Sequence, residues 1–152
     1  MGEHEPQNDS DHGAVFVYRL RVRYDESDVQ GVVHNPRYLG YADIALIEWW
    51  RELVGSLAAA NEDGVDVMLG EAHLRYLRSA SADDLLDLKL RVRSLGESSM
   101  VVVTEMYRGD ELLVVAEMHY VFVDPVSLRP EAIKLDWRRM LERYTESRSS
   151  TG

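Results

Sequence analysis

The chain has 152 residues, of which 45% are hydrophobic and 29% charged, and this suits one domain with a full core. Its formal net charge of -10 argues against nucleic acid or an anionic membrane as the main partner, because both require clustered Lys and Arg. The absence of cysteine excludes disulfides, thiolate metal sites and a cysteine nucleophile.

Polar stretches stand at both ends of the sequence. Residues 1–13 are acidic and have no large apolar side chain after Met1, and residues 146–152 have a similar character. We expect two disordered tails around a single domain at residues 14–145. The N-terminal stretch is unlike a secretory signal, and no apolar run approaches the roughly 18 residues that span a bilayer. We therefore expect a cytoplasmic protein without a membrane span.

An alternating strand and a long apolar helix form the first part of the predicted domain. From Ala14 to Tyr24 apolar side chains alternate with arginines, which predicts a half-buried strand. Asn35 is a candidate helix cap, Pro36 suits the first helical position, and Gly55 is a suitable C-terminal stop. One helix face carries Leu39, Ala42, Leu46, Trp49, Trp50 and Leu53. This helix is predicted to be the spine of the core.

Strand patterns dominate the sequence after the helix. They cover, in chain order, residues 65–77, 85–95, 99–108 and 111–123. Gly70 indicates a bulge or bend, and the pair Gly109-Asp110 indicates a tight hairpin turn. A loop and a short helix at residues 135–144 are expected to follow. Short turns between consecutive strands predict an antiparallel sheet that buries the long helix, so the predicted fold class is α+β.

The segment DESDVQGVVHNPRYL, residues 25–39, places acids and a glycine directly before the long helix. A helix start carries unpaired N–H groups and the positive end of the helix dipole, which can polarise a carbonyl. A carboxylate just upstream can activate water or attack that carbonyl itself. Asp25 and Glu26 are interpreted as solvated loop charges, and Ser27 as the source of a local backbone hydrogen bond.

The spacing Asp28…Gly31-Val32-Val33…Tyr38-Leu39 resembles that of the hotdog-fold acyl-CoA thioesterases, in particular the 4-hydroxybenzoyl-CoA thioesterase-like branch that includes the Tol-Pal-associated thioesterases. The segments HLRYLRSASADDLLDLKLRV and VFVDPVSLRP are similar to later parts of that family. The resemblance extends over roughly residues 15–133. It implies a hotdog fold, with a curved antiparallel sheet of about five strands around one long central helix. It also implies homodimers or homotetramers whose active sites lie where two subunits meet.

The resemblance also implies a set of site residues. Asp28 would be the catalytic carboxylate, acting as base or nucleophile in the hydrolysis of an acyl-CoA thioester. Backbone N–H groups of Val33, His34 and Asn35 would polarise the carbonyl, and Tyr38 would orient the acyl group or line its pocket. The His34 side chain is open to a hydrogen bond with substrate or with Asp28, and equally to a structural role.

Further candidates lie outside this segment. Asp43 on the helix is the alternative catalytic carboxylate, although a buried structural acid paired with a partner also fits its position. The contacts to CoA or to a second subunit would come from Ser98, Ser99, Arg91 and Arg93. Alternating arginines on a strand are also typical of its solvated face.

No cofactor and no metal are predicted, because His73 and His119 fall in predicted strands without a recognisable metal-ligand spacing. Two other functions stay open beside acyl-CoA hydrolysis. One is a non-hydrolytic acyl-thioester binding or assembly domain, since a fold does not fix a function. The other is a thioesterase acting on acyl or polyketide chains bound to a carrier protein. The sequence does not indicate the length or aromaticity of the acyl group.

Overall fold

A computed structural model describes residues 12–146. The elements in chain order are β1 (Phe16–Arg21), a 3-10 turn (Tyr24–Glu26), α1 (Arg37–Val54), α2 (Leu57–Glu62), β2 (Asp66–Tyr76), β3 (Leu85–Leu95), β4 (Ser99–Arg108), β5 (Glu111–Val123) and α3 (Leu135–Glu142). The five predicted strands, the long helix and the terminal helix are confirmed. The predicted tails lie almost wholly outside the described residues and stay predictions.

The five strands form one antiparallel sheet in the order β1-β3-β4-β5-β2. The strands β3, β4 and β5 follow one another through short turns, while β1 and β2 lie at the two edges. The register between β2 and β5 shifts between Leu69 and Glu71, which confirms the bulge predicted at Gly70. The α+β class is confirmed as well.

Helix α1 lies against the inner face of this sheet. Alternate residues of β3 are fully buried there, namely Leu86, Leu88, Leu90 and Val92. The Trp49 and Trp50 side chains of α1 are also buried, and the Trp50 ring lies 5.1 Å from that of Trp137 in α3. These contacts confirm α1 as the spine of the core.

Three local predictions about the helices need correction. Asn35 does not cap α1, because Pro36 occupies the N-cap position and backbone bonds such as Arg37 N–H to His34 O at 2.9 Å close the first turn. The predicted first strand is too long, since Tyr24 lies in the 3-10 turn. Helix α2 was not predicted, although the Ser56 hydroxyl caps it by accepting from the Ala59 N–H at 2.9 Å. Gly55, with φ of 101°, ends α1 as predicted.

The outer face of the sheet carries charged pairs between neighbouring strands. Arg19 contacts Asp87 at 2.9 Å, and this ion pair holds the pKa of the Asp87 carboxyl below its usual value. The interpretation of the alternating arginines as a solvated strand face is therefore confirmed for this part of β1 and β3. Between residues 12 and 146, no helix has both the length and the apolar character needed to cross a membrane.

Candidate active site

Asp28 lies in a tight loop whose two stems pair with each other. Ser27 and Val33 form an antiparallel bridge, and the Asp28 N–H donates to Val32 O at 2.8 Å. The Gly31 N–H donates to Asp28 O at 2.9 Å, with Gly31 at φ of +83°, a conformation that favours glycine. The loop therefore holds Asp28 in a defined place just before α1.

The Asp28 carboxylate is anchored through one oxygen. Its Oδ1 accepts from the Gln30 N–H at 2.8 Å and from the Val32 N–H at 3.4 Å. Its Oδ2 takes part in no hydrogen bond among residues 12–146, and the side chain is exposed. One oxygen thus fixes the orientation of the group and leaves the other available for chemistry.

The backbone N–H groups at the helix start differ in availability. The Val33 N–H donates to Ala80 O at 2.8 Å, and the His34 N–H donates to Glu26 O at 3.3 Å. Both are engaged within the chain, and their expected role toward a carbonyl stays a prediction. The Asn35 N–H makes no hydrogen bond within the described part of the chain. Asn35 therefore keeps a backbone donor that is free to bind a substrate oxygen.

The His34 side chain is exposed and makes no hydrogen bond to Asp28. The structure thus does not bring this imidazole to the candidate carboxylate. Its expected role toward a substrate stays a prediction.

Tyr38 connects the first turn of α1 to the rest of the fold. Its side chain is buried, and its hydroxyl accepts a hydrogen bond from the Ala80 N–H at 2.9 Å. Because Ala80 O also accepts from the Val33 N–H, the connection between β2 and β3 holds both the Asp28 loop and α1. Tyr38 is therefore a positioning residue for the loop, and its expected role of orienting the acyl group or lining its pocket stays a prediction.

Replacing Tyr38 with Phe is expected to lower the free energy of unfolding by about 1–3 kcal/mol, because the buried Ala80 N–H loses its acceptor. Urea denaturation followed by tryptophan fluorescence measures this change. Tyr76→Phe is the matched control, since the Tyr76 ring packs against Tyr38 but its hydroxyl makes no hydrogen bond among the described residues. Equal losses in the two variants would contradict the role given to the Tyr38 hydroxyl.

Glu26 is a structural acid, so its interpretation as a solvated loop charge is wrong. Its Oε1 accepts from the Arg23 N–H at 2.8 Å and from the Tyr41 hydroxyl at 2.9 Å. Burial and this hydrogen bond raise the pKa of Tyr41. The Glu26 carboxylate thus caps the backbone N–H of Arg23, while the Arg23 side chain has no acceptor with which to complete a capping box. For Ser27 the interpretation is confirmed, since its hydroxyl donates to Tyr24 O at 2.8 Å.

Asp43, the alternative carboxylate, lies exposed on α1 and has no ion pair among residues 12–146. Its interpretation as a buried acid paired with a partner is therefore wrong. The neighbouring parts of the fold remove some of the water around the Asp43 carboxyl, and this desolvation raises its pKa. Burial, with a contribution from the Asp43 charge, also raises the pKa of Tyr120, whose hydroxyl is buried without a partner in the described part.

Asp43→Asn is expected to raise the free energy of unfolding at pH 7 slightly, by less than about 1 kcal/mol. A carboxyl whose pKa is higher in the folded state destabilises that state while it is charged. The gain should shrink as the pH falls through the raised pKa of Asp43, and disappear below the ordinary Asp value of about 4. Denaturation curves at several pH values measure the difference between the two proteins. A variant less stable than the parent at pH 7 would contradict this account.

Comparison with known proteins identifies the family. The family model described as "Thioesterase superfamily" matches residues 30–115, which is more than half of the chain. This chain belongs to the thioesterase superfamily. The matched segment begins two residues after Asp28 and includes Gly31, Val33 and the start of α1.

Relatives and solved structures of thioesterases agree with this assignment. The acyl-CoA thioester hydrolase YbgC of Escherichia coli O6:H1 is 28% identical over 120 residues, covering 78% of this chain and 90% of YbgC. The structure of the dynemicin thioesterase has a TM-score of 0.80 at 20% identity and covers 88% of this chain and 99% of its own. The 1,4-dihydroxy-2-naphthoyl-CoA thioesterase Slr0204 from Synechocystis has a TM-score of 0.74 at 20% identity, covering 84% and 96%. The expected hotdog fold, with its curved sheet, is confirmed.

The arginines expected at CoA are already paired in this member of the thioesterase superfamily. Arg91 contacts Glu105 at 3.2 Å and Glu146 at 2.8 Å, and Arg93 pairs with Glu117. Both guanidinium groups are held in ion pairs with carboxylates, and their expected contact with CoA stays a prediction.

The two serines expected at CoA or at a second subunit lie near the start of β4. Ser99 is exposed and lines a shallow pocket of about 300 Å³ beside β2, while Ser98 O accepts from the Phe122 N–H at 2.8 Å. The serine contacts stay predictions.

A cavity of about 790 Å³ opens between β1 and the first half of α1. Its wall includes Arg23, Glu26, Tyr41 and Ile44, but Asp28 does not line it. In this thioesterase superfamily member a single chain therefore does not enclose the candidate carboxylate.

Proposed function

We propose that the chain hydrolyses acyl-CoA thioesters, with Asp28 as the catalytic carboxylate and the Asn35 N–H as the donor to the thioester oxygen. The observation that carries the proposal is the anchored Asp28 carboxylate, with one free oxygen, in a loop that closes onto the start of α1. Membership of the thioesterase superfamily and the similarity to a relative named as an acyl-CoA thioester hydrolase support the reaction class.

The chemistry follows from these two groups. As a base, Asp28 takes a proton from water, the water oxygen attacks the thioester carbon, and the proton goes to the departing CoA thiolate as the C–S bond breaks. As a nucleophile, Asp28 attacks the carbon itself, the C–S bond breaks to release the CoA thiolate, and water then hydrolyses the resulting mixed anhydride to the free acid and the Asp28 carboxylate. In both routes the oxyanion lies at the Asn35 N–H, where the positive end of α1 adds to its stabilisation.

Rapid-quench reactions with a radiolabelled acyl group distinguish the two routes. A label that appears transiently on the protein and is absent from Asp28→Asn supports attack by Asp28. Release of the labelled acid without any protein-bound stage supports the base.

The proposal as a whole is tested by thiol release from a panel of aliphatic and aromatic acyl-CoA thioesters. We expect turnover of at least one class, with release of free CoA measured by a thiol-reactive chromophore. Binding of acyl-CoA without any turnover across the panel would contradict hydrolysis and favour the binding-domain alternative.

We also propose that two chains associate through β2. This strand lies at the sheet edge, and in the described part of the chain no strand pairs with its outer side. Exposed apolar side chains lie on it or directly after it, namely Met68, Leu69, Tyr76 and Leu77. Pairing with the same edge of a second copy would give the unpaired backbone N–H and C=O groups partners and would bury the apolar side chains.

Leu69→Lys is expected to convert a homodimer to monomer, or a homotetramer to a smaller species, because it places a charge on that edge. Light scattering after size-exclusion chromatography measures the mass. Val126→Lys is the control, since Val126 is exposed in the loop after β5 and does not lie on the edge strand. A monomeric parent protein would rule out the association.

A further inference from the structure

Two histidines and two glutamates form a square on the outer face of the sheet. In the register of β2 with β5, Glu71 lies opposite His119 and His73 lies opposite Glu117. Directly opposite residues on one face of an antiparallel pair have Cβ atoms about 4.5–5.5 Å apart. The four side chains therefore converge, although 46 residues separate the two histidines along the chain.

Three of these side chains bring metal-ligating atoms close together. One ligand atom from each of Glu71, His73 and His119 lies within 4.8 Å of the other two. The His73 Nε2 is 2.8 Å from a Glu71 carboxylate oxygen, and the two imidazole rings have centroids 5.7 Å apart. Glu71 and His73 are exposed and His119 is half-buried, so an ion has access from solvent.

The surroundings favour a cation at this place. Glu117 contacts the His119 Nε2 at 2.9 Å and also pairs with Arg93. The charge of the Glu117 carboxylate is thus balanced by Arg93, while the charge of the Glu71 carboxylate is available to a bound cation. The second carboxylate orients the His119 ring, as outer partners of metal-bound histidines commonly do.

We propose that Glu71, His73 and His119 form a binding site for a divalent transition-metal ion of the Zn²⁺ class. Two imidazole nitrogens and one carboxylate oxygen are a common ligand set for Zn²⁺, with water in the remaining position. In a tetrahedral Zn²⁺ site with ligands at about 2.0–2.2 Å, neighbouring ligand atoms lie about 3.4 Å apart. Glu71 and His73 are exposed, so rotation of their side chains is the adjustment that the site requires to bring the ligand atoms from within 4.8 Å to this spacing.

The ion would fasten the edge strand β2 to β5, because its ligands come from both strands. None of its three residues belongs to the proposed pair of catalytic groups, Asp28 and the Asn35 N–H. His119 alternates with the core residues Met118 and Tyr120 of β5 and therefore projects from the face opposite α1. The prediction of no metal rested on the lack of a recognisable ligand spacing for His73 and His119, and spacing along the chain does not reveal a cluster formed between two strands.

The test measures zinc binding directly, using full-length protein without a histidine tag after treatment with a chelator. Competition with a chromophoric chelator gives the affinity and the stoichiometry. We expect one Zn²⁺ per chain, an increase in melting temperature on zinc addition, and an affinity at least about tenfold weaker in His73→Gln and in His119→Gln. His12→Gln is the matched control and should bind zinc as the parent does, because His12 contacts Thr145 outside the square.

Two results would overturn the site: no zinc binding by the parent protein, or equal zinc affinity in all three histidine variants. Circular dichroism checks that each variant is folded. Glu71→Gln is a further variant that should weaken zinc binding while it leaves both imidazole rings in place. Loss of thioester hydrolysis in Asp28→Asn with unchanged zinc affinity would separate this site from the proposed catalytic function.

Discussion

Asp28→Asn is expected to lower kcat for CoA release by at least about a hundredfold, the usual scale for loss of an acid-base group. The amide can neither accept a proton from water nor attack the thioester. Its carbonyl oxygen still accepts from the Gln30 and Val32 N–H groups, so the loop keeps its conformation. Steady-state kinetics with the best acyl-CoA of the panel measure the change, and the melting temperature should stay close to that of the parent.

Asp25→Asn is the matched control for this experiment. It removes the same charge from the same acidic segment, and Asp25 is exposed, with a carboxylate that accepts no hydrogen bond among residues 12–146. Its kcat should stay within about twofold of the parent value, because screened surface charges contribute little. Comparable activity in the parent and in Asp28→Asn would move the catalytic assignment to Asp43, whose Asn variant is the next to assay.

Trp50→Ala is expected to have the largest effect on stability, lowering the free energy of unfolding by about 3–5 kcal/mol. Trp50 is 1% exposed and packs between Trp49 and Trp137, with ring centroids at 5.3 and 5.1 Å. Truncation leaves a cavity that α1 and α3 cannot fill by small movements. Guanidinium denaturation followed by far-UV circular dichroism measures the loss without relying on the removed fluorophore.

Tyr24→Ala controls for the removal of an aromatic ring. Tyr24 is 88% exposed in the 3-10 turn, so its loss should change the free energy of unfolding by no more than about 0.5 kcal/mol. A loss below about 1 kcal/mol in Trp50→Ala would show that the core tolerates the cavity, and would contradict the role of α1 as its spine.

The regular elements were predictable because each has a period in the sequence. Strand β3 alternates leucines with charged residues, and its predicted limits, residues 85–95, are those of the structure. The turn at Gly109-Asp110 was predictable because Gly109 adopts a positive φ, a conformation that glycine favours in tight hairpin turns. The start of α1 was less predictable, since backbone bonds from residues that flank Pro36 took the place of the expected Asn35 cap.

The candidate site was predictable only in part, since its remaining features depend on contacts distant in sequence. The position of Asp28 before the helix is a local pattern. Its supports are not local, because Ala80 holds both Tyr38 and the Val33 N–H from the connection between β2 and β3. The pairing of Arg93 with Glu117 depends on the order of strands in the sheet, and so no spacing along the chain indicates it.

The strand order has a consequence for synthesis on the ribosome. Strand β1 is made first, but its partner is β3, with Phe16 opposite Leu90. Of the five strands of the sheet that covers Trp49 and Trp50, only β1 is synthesised before helix α1. The nascent chain therefore exposes its longest helix, with both tryptophans, until strands β3, β4 and β5 have left the exit tunnel. During that interval the two tryptophans are a binding surface for chaperones, and slow elongation between α1 and β3 should increase aggregation.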